Sequence, residues 1–314
     1  MRPTVAVTGA TGFIGPHIVE RLRADGWQLR LLTRRPTLPP SLHAPEIEIV
    51  QGTLEDHDSR ERLLDSVDAV VHVAGLIRAR SRAGFFEGNA KSVERLAGIA
   101  RAAGTPPRFI LMSSLAARVP EISDYAASKR EGEARLIAAG DRVPWTILRP
   151  PAVYGPGDRA TLPFFRCIAR GLGLMTGSDD ARISLIHVRD LAAAVGAVLT
   201  SDRAHGLVTE VDDGHGGYSW RDMIGTAAKV FGRTPRIARI PKAIPYGLGE
   251  INLLLARLPG YTPMLTPGKV RELYHRNWVC DSEPLMSHTC WRPELPLADG
   301  FADTISWYRQ QGWL

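Results

Sequence analysis

Tyr125 and Lys129 stand four residues apart in "DYAASKREGEARLIAAG" (124–140), a stretch with helical spacing of its apolar residues. Residues four apart share a helix face, so this spacing stacks a phenol on an ammonium. The pairing suits proton transfer, because a nearby cation favours the phenolate. On its own the motif is a hypothesis whose meaning depends on what the chain builds around it. A second group is "VAVTGATGFIG" (5–15), with Gly9, Gly12 and Gly15 between an apolar run and a helical one. Bare backbone at a helix N-terminus can approach a pyrophosphate closely. A third is Arg34 and Arg35, directly after the second apolar run. Dinucleotide folds usually place an acid there for the adenosine ribose. Guanidinium groups instead bind a 2′-phosphate with charge-assisted bonds. The loop and the arginines together predict NADP(H) rather than NAD(H).

These residues need a scaffold, and the chain alternates short apolar runs with amphipathic stretches. Strands are expected in 4–10, 27–33, 43–54, 68–76, 108–115 and 145–155. Helices are expected in 16–26, 58–67, 85–104 and 124–140. That alternation implies an α/β fold, a doubly wound parallel Rossmann sheet. After residue 155 Pro and Gly become dense, as in "RTPRIARIPKAIPYG", with short helices such as 219–232 between them. The expected organisation is a dinucleotide-binding domain over 1–155, with 183–200 returning to it as a strand and helix. Residues 156–182 and 201–314 then form a smaller, interleaved C-terminal substrate lobe.

The bulk composition narrows the function classes. The 314 residues are 44% hydrophobic and 23% charged, as in ordinary globular proteins. No apolar run reaches the roughly 18 residues of a membrane span. The N-terminal residues lack the pattern of a signal peptide, so a cytoplasmic protein is expected. The three cysteines, Cys167, Cys280 and Cys290, have no zinc spacing, and the nine histidines are scattered. No metal site is predicted. The net charge of +6 comes without a basic tail, zinc finger or RNA-binding signature. Nucleic acid is therefore not an expected partner, whereas an anionic cofactor or membrane surface would suit the charge.

Taken together, these residues resemble the extended short-chain dehydrogenase/reductase family. The marks are "TGATGFIG", "HVAG" (72–75), Asn89, "MSS" (112–114), "YAASK" (125–129), "LRPPAVYGPGD" (148–158) and "HVRDLA" (187–192). They appear in the family's order over nearly the whole chain. The resemblance implies a catalytic set of Ser114, Tyr125 and Lys129. Tyr125 would donate a proton to a carbonyl, and Ser114, favoured over Ser113, would hydrogen-bond the substrate oxygen. Lys129 would hold the nicotinamide ribose and lower the phenol pKa. A shift from 10 to about 7 needs roughly 4 kcal/mol. By the same resemblance Gly9, Thr11, Gly12, Phe13 and Ile14 would line the pyrophosphate. Thr53 and Leu54 would flank adenine, Ala74 and Gly75 would pass beneath the cofactor, and Pro150 and Val153 would border the nicotinamide. Asn89 is read as a structural hydrogen-bonder. Many members of the family dimerise through the long helices, so a homodimer is the implied assembly.

Two departures bear on the substrate. Thr53 stands where the family often has Asp. Ile183, with Arg182 beside it, stands where nucleotide-sugar epimerases usually place a phosphate-gripping arginine. The tail "NWVCDSEPLMSHTCWRPELPLADGFADTISWYRQQGWL" resembles a bacterial subgroup related to the mitochondrial complex I accessory subunit of this family, and also the bacterial 3-oxo-sphingolipid (ceramide) reductases. The apolar stretch 244–265 reads as a buried helix, a wall for a greasy substrate or a membrane contact. The expectation is an NADPH-dependent reductase of a 3-oxo group on a long-chain lipid, peripheral on the inner membrane where it meets that lipid. The alternatives are a nucleotide-sugar epimerase or dehydratase, and a non-catalytic cofactor-binding assembly subunit.

Overall fold

The computed structural model describes residues 2–37, 39, 42–256 and 260–314. The first half alternates strands and helices except that the third strand follows the second directly. In chain order it runs β1 (Thr4–Thr8), α1 (Ile14–Ala24), β2 (Gln28–Thr33), β3 (Ile47–Gln51), α2 (His57–Leu64) and β4 (Ala69–His72). It continues through α3 (Arg82–Phe86), α4 (Ser92–Ala102), β5 (Arg108–Met112), α5 (Asp124–Ile137) and β6 (Trp145–Arg149). The second half holds β7 (Ala152–Tyr154), α6 (Leu162–Ala169), β8 (Leu172–Thr176), β9 (Arg182–Ile183), β10 (Leu185–His187) and α7 (Val188–Leu199). Then come β11 (Leu207–Glu210), α8 (Trp220–Phe231), β12 (Arg236–Ile240), α9 (Ala243–Leu255), α10 (Pro267–Leu273), β13 (Asn277–Trp278), α11 (Glu283–His288) and α12 (Leu297–Gln310).

Seven strands form one parallel sheet in the order β11-β6-β5-β4-β1-β2-β3. The period-2 rule decides which helix each side chain meets. Val5, Val7, Val71, Ile110 and Met112 point to the α1 and α7 side, where they pack with Ile18, Leu22, Leu191 and Val195. Ala6, Val70, Phe109 and Leu111 point to the other face and pack with Leu63, Leu96 and Leu136. Strands buried on both faces read as unbroken apolar runs, which is why they were visible in the sequence. Each such side chain, fully buried, contributes about 1.5–3 kcal/mol.

The lobe has its own core of Tyr154, Phe165, Met175, Ile224, Phe301 and Tyr308, where α12 packs on α8. Helix α8 is bounded as its sequence suggests. Ser219 and Asp222 form a reciprocal capping box, and Gly232 closes the helix at φ 63°.

Two expectations about this half of the chain require correction. Leu207–Glu210, assigned from the sequence to the lobe, pairs with β6 as the edge strand of the main sheet. Its four residues, "LVTE", are too short and mixed to announce a sheet strand, and the crossover through α7 brings it there. Conversely, β10 pairs with β7 in a separate two-stranded sheet, and only α7 returns, packing on α1. The structure also narrows the three readings of 244–265, of which 257–259 lie outside the described residues. It is not a buried helix: Ile244, Leu248, Ile251 and Leu254 are each more than half exposed, and in α9 only Gly249 is buried. Apolar content without polar alternation cannot distinguish a buried helix from one whose apolar faces have no neighbour.

The helix expected over 85–104 also has an internal feature. Between α3 and α4 one turn, Glu87–Lys91, is a π-helix. It holds Asn89, whose carbonyl lies so close to Gly132 of α5 that any Cβ there would overlap it.

Candidate active site

The predicted loop residues converge on the C-terminal edge of the sheet. Gly9 follows β1, Arg34 and Arg35 follow β2, Thr53 and Leu54 follow β3, and Ala74 and Gly75 follow β4. Ser114 follows β5 and Pro150 follows β6. The chain order reverses between β1 and β4, and open α/β sheets form their ligand crevice at such a point.

The glycine loop is built for close approach. Gly9 has φ 75°, and a Cβ there would lie 2.6 Å from the Ala74 nitrogen. A Cβ on Gly15 would overlap the Gly9 carbonyl, so α1 is seated directly on the loop. The Gly12 N–H donates to the Gly9 carbonyl at 3.0 Å. Helix α1 has no side-chain cap and no acid in its first turn, which leaves its leading N–H groups and dipole available to an anion. Phe13 turns edge-on to His17, and Ile14 packs on the core. Thr11 is half-buried in the same loop. At the end of β2 the Arg34 and Arg35 side chains are exposed, and neither pairs with a carboxylate among the described residues. The Thr53 hydroxyl is occupied, accepting from the Asp56 N–H at 3.2 Å. Leu54 packs against the core, and its carbonyl accepts from Arg60 at 2.7 Å. These features fit a dinucleotide: a bare backbone cradle, a helix N-terminus for the pyrophosphate and two free cations at the ribose end.

The proton-transfer group is assembled by α5. Ser123 caps that helix, accepting from the Ala126 N–H at 3.0 Å. Tyr125 is half-buried in the first turn, edge-on to Phe85 and beside Trp278. One turn on, Lys129 is only 8% exposed and donates from Nζ to the Met112 carbonyl at 2.9 Å. A Cβ on Gly75 would lie 2.9 Å from that Nζ, which places the ammonium directly under the Ala74–Gly75 turn. Ser114 begins a short 3-10 turn, its Oγ accepting from the Ala116 N–H at 3.2 Å. Ser113 points elsewhere, donating at 2.5 Å to Glu133, which also pairs with Arg149. The two adjacent serines thus have different environments, and Ser114 is the one near enough to the phenol to act on its ionisation. The carbonyl of Pro150 accepts from the Leu115 N–H at 2.8 Å, and Val153 lies in β7 against the main core.

The electrostatics differ from the expectation that Lys129 lowers the phenol. Burial pushes Tyr125 up to about 12; the Ser114 hydroxyl opposes this, and the Glu272 carboxylate adds to it. Burial also pulls Lys129 down to about 8, against the pull of Glu133. As folded, Tyr125 is a protonated phenol at neutral pH, which is the form of a proton donor.

Sequence reasoning missed two groups here. His72 lies beneath the site, with Nδ1 2.7 Å from the Thr8 hydroxyl and Nε2 3.3 Å from Ser92. Thr8 Oγ1 accepts from the Ala74 N–H and Ser92 donates to the Gly88 carbonyl, so a neutral His72 links the glycine-loop strand to the π turn. Burial, with Lys129 nearby, lowers it to about 3. A polar residue inside a buried apolar run was the available signal. The second group is Glu272 on α10, which accepts from Ser123 at 2.5 Å and from Lys269 at 2.9 Å. It joins the lobe to the cap of α5, across a sequence separation that no local pattern reveals. Asn89 is fully engaged, bonding both backbone groups of Leu76 and the Ser128 hydroxyl. Arg182 holds the carbonyls of Asp179 and Ala181, and Ile183 bridges Tyr218 in the lobe. Among the described residues no cluster of His, Cys, Asp and Glu could hold a metal ion.

Comparison with known proteins shows the family and the fold. The profile of the NAD dependent epimerase/dehydratase family matches residues 5–208. The ceramide reductase of Caulobacter vibrioides is 41% identical over 313 residues, covering 100% of this chain and 96% of that enzyme. Among solved structures, MoeE5 in complex with UDP-glucuronic acid and NAD has a TM-score of 0.76 at 21% identity, covering 98% of this chain and 99% of that one. Human epimerase family protein SDR39U1 (isoform 2), solved with NADPH, has a TM-score of 0.75 at 19% identity, covering 96% and 99%. At those identities the two structures speak for the fold alone.

Proposed function

Because this chain belongs to the NAD dependent epimerase/dehydratase family and is an oxidoreductase of the extended short-chain type, we propose that it reduces a 3-oxo group on a long-chain, sphingolipid-like lipid, using NADPH. The observation that carries this reading is the full-length 41% identity with a ceramide reductase. The preference for NADPH rests on Arg34 and Arg35 at the end of β2, where charge-assisted bonds can hold a 2′-phosphate.

The chain's own residues supply the rest of the chemistry. The glycine loop, Arg34 and Arg35 would hold the NADPH, which would supply a hydride to the carbonyl carbon. Tyr125 Oη gives its proton to the carbonyl oxygen, so the C=O becomes CH–OH with charge balanced. Burial that raises the phenol keeps it protonated but makes it a weaker acid, so the influence of Ser114, which lowers it, favours release of the proton. Ser114, close to the same phenol, is positioned to steady the oxygen as charge develops on it. Lys129, fixed on the Met112 carbonyl, is placed to bond ribose hydroxyls and to help replace the lost proton. Glu133 and Arg149 hold Ser113 away from the crevice, which leaves one serine for the substrate.

The test is NADPH oxidation on 3-oxo lipids of rising chain length in detergent micelles, with short ketones and UDP-sugars as controls. Burying each CH₂ is worth about 0.8 kcal/mol, so kcat/KM should climb steeply with chain length. A flat profile, or turnover confined to UDP-sugars, would replace this reading with a sugar-nucleotide enzyme.

A further inference from the structure

The outer surface of α9 is at odds with a helix meant to face water. It exposes Ile244 (57%), Leu248 (52%), Ile251 (54%) and Leu255 (42%) along one stripe, spaced four, three and four residues apart. Leu254 widens that stripe, whereas Leu253 and Tyr246 are exposed on the opposite side of the helix. The helix carries a single charge, Glu250. Its other side is the one that packs: Gly249 sits on Thr266–Pro267, and Asn252 bonds the Leu265 carbonyl at 3.1 Å. An apolar surface of this extent, set apart from the core, marks a contact site.

The borders of the surface indicate what it meets. Lys242, exposed, stands at the start of the helix. The C-terminal end of α9 is tied to a second exposed apolar segment, because Arg80 donates to the Ala256 carbonyl at 3.4 Å. That segment presents Ile77 (66%) and Leu76 (42%), with Arg78 exposed beside them. A two-fold contact with a second copy would set this basic border against itself. An anionic surface would be attracted to it instead. Thirteen residues rise only about 20 Å as a helix, and among the described residues no helix is long and apolar enough to cross a membrane.

We infer that α9, with the 76–78 segment, is an interfacial element that lays the protein on an anionic lipid bilayer without spanning it. The location of this surface gives it a use, which rests on the lipid reading above. Residues 76–78 follow Gly75, the residue packed over Lys129, and α9 stands on α10, whose Glu272 grips the cap of the Tyr125 helix. A lipid ketone would therefore reach the crevice from the bilayer without crossing water.

The experiment uses the full chain and vesicles of phosphatidylcholine, with and without phosphatidylglycerol. The wild type should sediment with the anionic vesicles and be released by salt. The double variant Ile251→Glu/Leu254→Glu should bind them at least tenfold more weakly. Both proteins should turn over a micellar long-chain 3-oxo lipid equally, which shows that the variant is folded, while the variant loses turnover when the same lipid is embedded in vesicles. A wild type that ignores anionic vesicles overturns the inference. So does a wild-type dimer that the variant converts to monomers, because a second copy would then cover the surface. If vesicle binding stands but neither protein reduces the micellar lipid, docking is supported and the substrate assignment fails.

Discussion

Lys129 is 8% exposed and Leu254 is 59% exposed, the reverse of what their side chains prefer in water. The two residues mark two regions governed by opposite rules. Beneath the crevice three charged or polar groups are buried and held by partners: Lys129 by the Met112 carbonyl, His72 by Thr8 and Ser92, and Asn89 by Leu76 and Ser128. On α9, apolar groups are exposed and Gly249 alone is buried. Burial without a partner would cost several kcal/mol per charged group, so the crevice has to be built in full. Exposure on α9 costs less per residue and is offset when a partner arrives. The first region is organised before ligand binds, whereas the second depends on what covers it.

Three changes test the crevice side of this contrast. The largest effect is expected from Tyr125→Phe, which keeps the ring against Phe85 and Trp278 and removes the proton. Turnover should fall by about 10²–10⁴-fold with cofactor affinity preserved. A near-normal rate in steady-state kinetics would remove Tyr125 from the mechanism, and a loss of cofactor binding would show that the site is less preorganised than its hydrogen bonds imply. A smaller effect is expected from Arg34→Ala. The loss of a charge-assisted bond should weaken NADPH by about tenfold to a hundredfold and leave NADH nearly unchanged. Equal affinities for the two cofactors in the wild type, measured by fluorescence titration, would break the 2′-phosphate assignment.

The smallest effect is one of stability and pH. His72 is held neutral down to about 3, whereas an unfolded histidine takes its proton near 6.5. Between those values the unfolded state binds the extra proton, so stability falls as pH falls through that window. The slope from this group approaches about 1.4 kcal/mol per pH unit. His187, lowered to about 4 mainly by burial, acts in the same direction. Urea unfolding of His72→Gln at a series of pH values should show a shallower acid slope than the wild type. An unchanged slope would mean that His72 is not the buried neutral link between β1, β4 and the π turn.

The sheet was legible because its strands are buried on both faces, and an apolar run such as Phe109–Met112 has few other places to go. The glycine loop was legible because Gly9 and Gly15 are required by backbone approach, which leaves a fixed spacing in the chain. The separation of Ser113 from Ser114 was open from chemistry alone, since adjacent hydroxyls look alike until Glu133 takes one of them. The π turn at Asn89 left no mark in the local periodicity, and the close approach of Gly132 to its carbonyl comes from another helix.

The sequence by itself thus determined the parallel sheet, the loop and the helix that stacks Tyr125 one turn from Lys129. All three follow from local periodicity, backbone sterics or contacts within a single helix. Only the tertiary structure decided that the phenol is raised rather than lowered, that Glu272 reaches it from the lobe, that β11 closes the sheet and that α9 faces outward. Desolvation, long-range charge and the presence or absence of a packing neighbour are properties of the assembled molecule, and residue order along the chain does not encode them locally.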